Sequence, residues 1–466
     1  MPILFAAAAM IGLSLCSSVG AQSNDILYSA CPLIGAYSPA TFTRSSEPFK
    51  KLSADFIKTF NQLIGKGDSD DYGPITPNTT SFTVDQLDTG TKLTSDTKLP
   101  VGDLTMVFTV YAWLIKMGDT WDTPITQYLP ELKMASKWGG VAWEEVTIGS
   151  LAGHMSGLIR QTEACTIGEE CEWKIFAEKL AVDSFVFHPD TTPIVWYTAF
   201  QLLAFAMARH SGVGEYSTIL QGAVLGPLDM TSSGLLSPEM KDVFAFMYFN
   251  TEQQGEPAAI SLISTVADLA RAGNAMLGSH LLPPAVNRRW LHHSVDTSNL
   301  RKGVGRPWEI NRAGGSAISP IVDVWTKSGS LGSHYASYFG LAPDFDVGFA
   351  ILAHDGGGGA RDGNRPLDLN QCLRGRDVRA EAARQMGLGS TADVDFRLYP
   401  SNVREGALKH QFVAVFQDRS APVDMGTPTC ITWQEVGSLA GVTYCFAFEL
   451  ADDGTATGFQ LLTYVK

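Results

Sequence analysis

The sequence predicts a mixed α/β (α+β) fold in two parts: a large domain of helices and strands, then a small module of strands alone. Three observations carry this prediction. Helical apolar spacing dominates long stretches from residue 145 to 285. Strand-like segments separated by turn residues follow between 322 and 354, and from residue 392 the segments are short and strand-like. A chain of 466 residues is long enough for a large core and more than one domain.

The overall composition is that of a globular protein, with 45% hydrophobic and 18% charged residues. The formal net charge is −14. Nucleic acid and anionic membrane surfaces carry the same sign of charge, so neither is expected as a partner. Small-molecule ligands remain open.

Residues 1–21, MPILFAAAAMIGLSLCSSVGA, are typical of a signal peptide. Val19 and Ala21 have the spacing of a cleavage site after the apolar run, although no Lys or Arg precedes that run. A short membrane anchor is the alternative, but Ser14 and Ser17 shorten the apolar stretch below bilayer length. We therefore expect a secreted, extracellular protein.

Secretion changes the interpretation of the cysteines. One of the seven, Cys16, lies in the leader, and an even number in a secreted chain favours disulfides. Zinc is the alternative, but no C-x-x-C or H-x-H spacing supports it, and we expect neither a metal nor a cofactor. The candidate pairs are Cys165 with Cys171, Cys430 with Cys445, and Cys31 with Cys372.

The N-terminal part of the mature chain begins with residues 22–46, which are rich in Ser, Pro and Ala and predict an extended arm. The main domain is predicted over 47–387. It opens with EPFKKLSADFIKTFNQLIGKG, an amphipathic helix that ends near Gly65. SFTVDQL alternates as a strand, and Asn78 starts a glycosylation sequon in a polar loop just before it.

A helix is predicted after a second strand around residues 98–101. Asp103 is a suitable N-cap, and Gly118 stands where the helix should stop. The residues between them leave little polar face, so this helix should be buried on nearly all sides.

The remaining elements follow in order along the chain. AFQLLAFAMARHSG and TVADLARAGNAML are predicted helices, and VDVWTKSG, YASYFGLAP and DVGFAILAHD are predicted successive strands. A charged helix, CLRGRDVRAEAARQMG, closes the main domain. The C-terminal module over 392–466 contains the predicted strands FRLYP, QFVAVFQD, CITWQEV, GVTYCFAFEL and GFQLLTYV.

Several collinear segments carry a resemblance that spans about residues 80 to 387. They are SDTKLPVGDLTMVFTV, MGDTWDTPITQYLPEL, TIGSLAGHMSGL, TTPIVWYTAFQLLAF, LGPLDMTSS, STVADLARAGNAML, RPWEI and WTKSGSLGSHYASYFGLAPDFDVGFAILA. Together they resemble the serine β-lactamase and penicillin-binding-protein superfamily, in particular its class C-like, esterase-like branch in secreted fungal form. The resemblance implies an antiparallel sheet flanked by helices plus an all-helical subdomain. The C-terminal module also resembles the extension of the fungal branch.

The resemblance implies a specific chemistry. In that family a Ser attacks an acyl carbonyl and forms an acyl-enzyme, and a Lys one turn later on the same helix face assists removal of the Ser proton. A Tyr of a Y-x-N segment assists proton transfer, and a K-[ST]-G strand lines the cleft. Backbone N–H groups of that strand and of the Ser form the oxyanion hole.

Most of this machinery does not carry over to the present sequence. Asp103 stands at the Ser position and Met106 at the Lys position. Val195 and Tyr197 replace the Tyr and Asn of Y-x-N. Of the catalytic motifs, only Lys327-Ser328-Gly329 is intact. Groups that act as a unit are not rescued singly, so we expect no serine acyl transfer.

Other residues could replace the missing catalytic groups. Thr105 is a hydroxyl in the first turn but has no Lys three residues later, and Asp103 itself could attack as carboxylates do in glycosidases. Tyr197 could replace the missing phenol. Ser156 lacks the G-x-S-x-G spacing of a nucleophile elbow, and His154 beside it is better explained as a structural turn residue.

Lys327 has two possible roles: it is either a free polar group in the cleft or a lysine paired with Asp103. His334 and His354 could border the cleft. The Gly-rich stretch at 355–363 is not a phosphate cradle because no GK[ST] follows.

Three functional hypotheses follow. The first is a degenerate member whose cleft remains as a binding or structural feature. The second is an enzyme of altered chemistry, for example in fungal secondary-metabolite biosynthesis, and the third is a weak residual hydrolase or esterase. Because the cleft has exchanged cations and hydroxyls for apolar surface, any ligand should be more apolar than a β-lactam.

Overall fold

The computed structural model describes most of residues 94–354, in the ranges 94–133, 142–158, 171–180, 187–237, 255–297, 301–313, 321–331 and 335–354. Residues 47, 50, 51, 54, 165 and 166 and six strands outside these ranges are also described, the strands as backbone only. The predicted arm 22–46 and the predicted helix and strand at 372–387 and 430–436 lie outside the described residues. So do most of the N-terminal amphipathic helix, His334 and the Gly-rich stretch 355–363.

A six-stranded antiparallel sheet is the centre of the main domain. Its six strands are consecutive in sequence, and each lies beside the next in space. Apolar side chains of the middle strands, such as Phe339 and Leu341, are buried on the helical side. The strands are β6 (Val295–Asp296), β7 (Lys302–Val304), β8 (Glu309–Ala313), β9 (Val322–Leu331), β10 (Tyr335–Ala342) and β11 (Val347–His354).

The described helices cover the middle of the chain, as the periodicity predicts. They are α1 (Thr105–Met117), α2 (Ile148–Ala152), α3 (Trp173–Leu180), α4 (Tyr197–Ser211), α5 (Tyr216–Leu220), α6 (Pro257–Ile260), α7 (Val266–Leu277) and α8 (Pro284–Trp290). Helix α1 packs against α4 and α6, and α7 packs against β10 and β11. None of the helices in the described ranges is long and apolar enough to cross a bilayer.

Helix α1 is buried on nearly all sides, as predicted. All residues from Thr105 to Leu114 are buried, and the chain leaves the helix at Gly118 with φ +78°. The predicted N-cap is wrong, however. A short 3-10 turn, Gly102–Leu104, precedes α1, Leu104 is its N-cap residue, and Asp103 makes no capping hydrogen bond.

Strand β9 approaches the turn before α1 very closely. Gly102 has φ +54°, and a Cβ there would stand 2.3 Å from the carbonyl oxygen of Ser330. A Cβ on Gly329 would stand 2.2 Å from the carbonyl oxygen of Val101, which also accepts a hydrogen bond of 2.6 Å from Ser337 Oγ. Glycine at both positions lets the start of α1 lie directly against β9.

The remaining described strands form three small antiparallel sheets. The hairpin β1 (Ile75–Asn78) and β2 (Ser81–Val84) turns between Asn78 and Ser81, which are paired. A three-stranded sheet joins β3 (Leu99–Pro100), β5 (Leu262–Ser264) and β4 (Gly234–Leu235), so the strand predicted at 98–101 is present but shorter. Toward the C-terminus, β12 (Val394–Arg404), β13 (Lys409–Asp418), β14 (Tyr444–Leu450) and β15 (Ala456–Thr463) form a four-stranded sheet.

Candidate functional site

The residues at the predicted motif positions lie on adjoining elements. Asp103 belongs to the turn before α1, and Met106 to the first turn of α1. Val195 precedes α4, and Tyr197 is the first residue of α4, which packs against α1. The turn containing Asp103 packs against β9, which carries Lys327. The structure thus brings Asp103 to the Lys327-Ser328-Gly329 segment.

Strand β9 has an open edge at this place. Strand β8 begins at Glu309, which pairs with Thr326, so none of the described strands pairs with β9 on that side beyond Thr326. Backbone N–H groups two residues apart point to the same side of a strand, and those of Ser328 and Ser330 point to this open edge.

Both of these N–H groups are occupied by carboxylates of the same chain. Ser328 N–H donates to Glu309 Oε2 at 3.0 Å, so the Glu309 side chain continues the ladder beyond the start of β8. Ser330 N–H donates to Asp103 Oδ2, also at 3.0 Å. At the described part of the cleft edge, two backbone donors are therefore already used by carboxylates of the same chain.

Lys327 forms a buried ion pair with Glu309. Its Nζ lies 2.8 Å from Glu309 Oε1 and also donates to the carbonyl oxygen of Ser328 at 2.8 Å. Ser328 Oγ donates to the same carboxylate, at 3.0 and 2.9 Å to its two oxygens. Burial alone would raise the pKa of the Glu309 carboxyl. The attraction of Lys327 and the hydrogen bonds from Lys327 and Ser328 outweigh burial and hold that pKa below its usual value.

The hypothesis that Asp103 satisfies Lys327 is wrong for this reason. Glu309 already holds Lys327, while Asp103 accepts the hydrogen bond of a backbone N–H instead. Sequence reasoning missed Glu309 because its partner depends on the β8–β9 register. The only signal was a charged residue between Trp308 and Ile310 in RPWEI.

Two of the altered motif residues and the candidate nucleophile Thr105 are packed into the core. Met106 is 0% exposed, and Val195 is also buried. Thr105 Oγ1 donates to the carbonyl oxygen of Gly102 at 2.7 Å and accepts from Leu262 N–H at 3.0 Å. Since this buried hydroxyl both donates and accepts a hydrogen bond, Thr105 does not replace the missing nucleophile.

His154 and Ser156 belong to a tight loop after α2. His154 has φ +60° and is buried, its ring packs against Phe200, and its carbonyl oxygen accepts from Ile194 N–H at 2.7 Å. Ser156 is buried as well. This geometry fits a structural turn that positions the segment before α4.

A second buried acid was also missed by sequence reasoning. Glu256 is fully buried at the start of α6 and accepts a hydrogen bond from Thr198 Oγ1 at 3.2 Å. Gln201 Oε1 accepts from Ala258 N–H at 3.1 Å, which is a second polar link between α4 and α6. No pattern around Glu256 distinguishes it in the sequence from an exposed loop acid.

The predicted disulfide between Cys165 and Cys171 is present. The carbonyl oxygen of Cys165 accepts a hydrogen bond of 2.8 Å from Gly255 N–H, next to the buried Glu256. Cys31, Cys372 and Cys430 lie outside the described residues, and Cys445 lies in β14. Within the described ranges, no cluster of His, Cys, Asp or Glu could hold a metal ion.

Comparisons with known proteins match both parts of the chain. A model of the beta-lactamase family matches residues 77–372. A second model, described as "Beta-lactamase-like-like, C-terminal domain", matches residues 370–464.

Two curated relatives are similar at the sequence level. A beta-lactamase-like protein of Arthroderma benhamiae is 26% identical over 342 residues, covering 64% of this chain and 56% of the relative. A human protein described as beta-lactamase-like 1 is 26% identical over 249 residues, covering 50% of this chain and 48% of the relative. The chain thus spans about half the length of these curated relatives.

Solved structures of class C beta-lactamases share the fold. One matches with a TM-score of 0.50 at 18% identity, covering 67% of this chain and 93% of that enzyme. Another, solved in complex with cefoxitin, matches with a TM-score of 0.50 at 19% identity. This match covers 65% of this chain and 95% of the chain of the cefoxitin complex. The main domain therefore has the β-lactamase/transpeptidase-like α/β fold, with helices around an antiparallel sheet.

Proposed function

Because the chain belongs to the beta-lactamase family, we propose that it is a secreted member that has lost serine acyl transfer and keeps its cleft for a small, relatively apolar ligand. The proposal includes the predicted organisation, with an all-helical subdomain beside the sheet and a strand module over 392–466. It also assigns the four altered motif positions, Asp103, Met106, Val195 and Tyr197, to the former catalytic site.

One observation carries the proposal: Ser330 N–H donates to Asp103 Oδ2 at 3.0 Å. In the family, N–H groups of this strand stabilise the oxyanion of the acyl-transfer intermediate. A carboxylate at that place removes the donor and would repel the negative charge that develops on the substrate oxygen. A residue that only fails to attack would leave the donor free; Asp103 also blocks it.

The other changes support the same conclusion. Met106 cannot accept a proton, and it is completely buried in α1. Lys327 is held by Glu309 at 2.8 Å, so its ammonium is neutralised at the sheet edge. Ser328 is a poor substitute nucleophile because the carboxylate that accepts its hydroxyl proton has a lowered pKa and is a weak base.

Secretion is supported by three features. Residues 1–21 have the pattern of a signal peptide. The Cys165–Cys171 disulfide fits an oxidising compartment. The Asn78 sequon lies at the turn of the β1–β2 hairpin, a place that suits attachment of a glycan.

The test is intact-mass labelling of the purified secreted protein with a fluorophosphonate and with a penicillin. We expect no adduct on the wild type, while a class C beta-lactamase treated in parallel is labelled. A variant with Asp103→Ser, Met106→Lys, Val195→Tyr and Tyr197→Asn reports whether the scaffold still supports acylation. A stoichiometric wild-type adduct on a Ser or Thr would contradict the proposal.

A further inference from the structure

We infer that the cleft recognises a protonated amine carried on an apolar body, with the Asp103 carboxylate as its counter-ion. This inference rests on the proposed function, that the former catalytic cleft still binds a ligand, and it names the chemical class of that ligand. The argument uses the charges at the open edge of β9 and the contacts of Asp103.

Asp103 is a nearly buried carboxylate with one unused oxygen. It is 8% exposed, and its Oδ2 accepts the Ser330 N–H. Within the described part of the chain, no donor reaches Oδ1, and no Lys, Arg or His lies within ion-pair distance of Asp103. Oδ1 is also not among the fully buried atoms that lack a partner, so it keeps some exposure to solvent.

The neighbouring charges do not compensate Asp103. Lys327, the nearest cation in the motif, is paired with Glu309 and neutralised by it. The family lysine on α1 is replaced by the uncharged Met106. Among the residues that the structure describes, the edge therefore carries one carboxylate more than it carries cations, and the additional carboxylate, Asp103, is nearly buried.

An uncompensated carboxylate in such a place is costly, and a bound cation lowers that cost. Among the described residues, Oδ1 lacks both a compensating positive charge and a hydrogen-bond donor. An ammonium group supplies both. Anionic ligands, including the carboxylated β-lactams, would be repelled by the same group. The net charge of −14 on the whole chain favours the approach of cations as well.

The apolar body of the ligand follows from the rest of the motif positions. Met106 and Val195 are aliphatic where the family has a Lys and a Tyr, so these positions offer a ligand no charged or hydrogen-bonding partner. The start of α1 and the Ser330 N–H also stabilise Asp103 when no ligand is bound, which explains why the fold tolerates it.

The experiment compares three probes that share one apolar body: 4-phenylbutylamine, 4-phenylbutanol and 4-phenylbutyrate. Dissociation constants are measured by isothermal titration calorimetry at low salt. We expect the wild type to bind the amine at least about 10-fold more tightly than the alcohol, and the carboxylate least. Asp103→Asn keeps an acceptor for Ser330 N–H but removes the charge, so it should bind the amine and the alcohol about equally.

The matched control is Asp346→Asn, which removes an exposed carboxylate at the β10–β11 turn. That position has φ +52°, which Asn tolerates, and the variant should keep the wild-type preference for the amine. An amine preference that survives Asp103→Asn would overturn the inference. If Asp103→Asn does not fold, the amine-to-alcohol ratio of the wild type alone decides.

The outcomes separate this inference from the proposed function. Equal wild-type affinity for amine and alcohol would overturn amine recognition and leave the apolar cleft intact. If none of the three probes binds, amine recognition is overturned as well. A covalent adduct with the fluorophosphonate would instead contradict the loss of acyl transfer, whatever the probes do.

Discussion

At the scale of single residues, two carboxylates determine what the site can do. Sequence rules place Asp103 as a helix cap, because local capping is the commonest use of an Asp before a helix. The structure shows a contact with Ser330, far along the chain, and no local cap. Nothing in the local sequence distinguishes Glu309, because only the β8–β9 register brings it to Lys327. Partners of this kind depend on tertiary structure and are absent from local sequence patterns.

The first residue-scale prediction concerns the buried ion pair. Glu309→Gln leaves Lys327 charged and buried without its carboxylate, so the free energy of unfolding should fall by about 3–5 kcal/mol. Urea denaturation at pH 7 measures this loss. Asp344→Asn, at an exposed position, should change stability by less than about 0.5 kcal/mol. A small loss for Glu309→Gln would mean that Lys327 finds solvent or another partner.

The same pair predicts a pH dependence with a defined sign. The pKa of Glu309 is lower in the folded than in the unfolded protein, so the folded state binds fewer protons near that pKa. The stability from the pair is fully present above the ordinary value of 4.5 and is lost as the pH falls through the lowered folded-state value. Glu309→Gln should therefore show a shallower decline of stability below pH 4.5. Equal slopes in acid denaturation would contradict the assignment.

At the scale of elements, the approach of β9 to α1 is the decisive contact. Helix α1 and its end at Gly118 could be predicted, because an all-round apolar stretch followed by Gly is a strong local signal. The need for glycine at Gly102 and Gly329 could not be predicted, since it arises where two elements that are distant in the sequence pack together. The strands β9 to β11 can be predicted for a similar local reason, whereas the strands with which they pair cannot.

Two glycines with similar backbone conformations test this contact. Gly102→Ala and Gly212→Ala share a positive φ, +54° and +68°, but only Gly102 has a backbone atom 2.3 Å from the new Cβ. Gly212→Ala should cost about 1–2 kcal/mol, from the conformation alone. Gly102→Ala should cost at least about 2 kcal/mol more or prevent folding. Thermal and urea unfolding measure the difference, and equal losses would mean that β9 and the turn move apart freely.

At the scale of the whole molecule, the chain combines a family fold with an altered site. The fold follows from many collinear segments, and the class C structures match it at 18–19% identity. Processing is a property of the whole chain as well. We expect the mature protein to begin after Ala21 and to carry a glycan on Asn78.

Expression in a secreting eukaryotic host tests both points. Intact mass of the secreted protein should correspond to loss of residues 1–21. Asn78→Gln should remove one glycan, seen as a mass decrease that enzymatic deglycosylation of the wild type reproduces. Retention of the first 21 residues, or an unchanged mass for Asn78→Gln, would contradict the respective assignment.

The open edge of β9 has a consequence beyond ligand binding. An unpaired stretch of strand can add a strand from another polypeptide, and this is a common start of aggregation. Here the N–H groups of Ser328 and Ser330 are already bonded to Glu309 and Asp103. An incoming strand would have to displace both carboxylates before it could pair. Asp103, which we propose closes the site to acyl chemistry, should therefore also protect this edge from self-association.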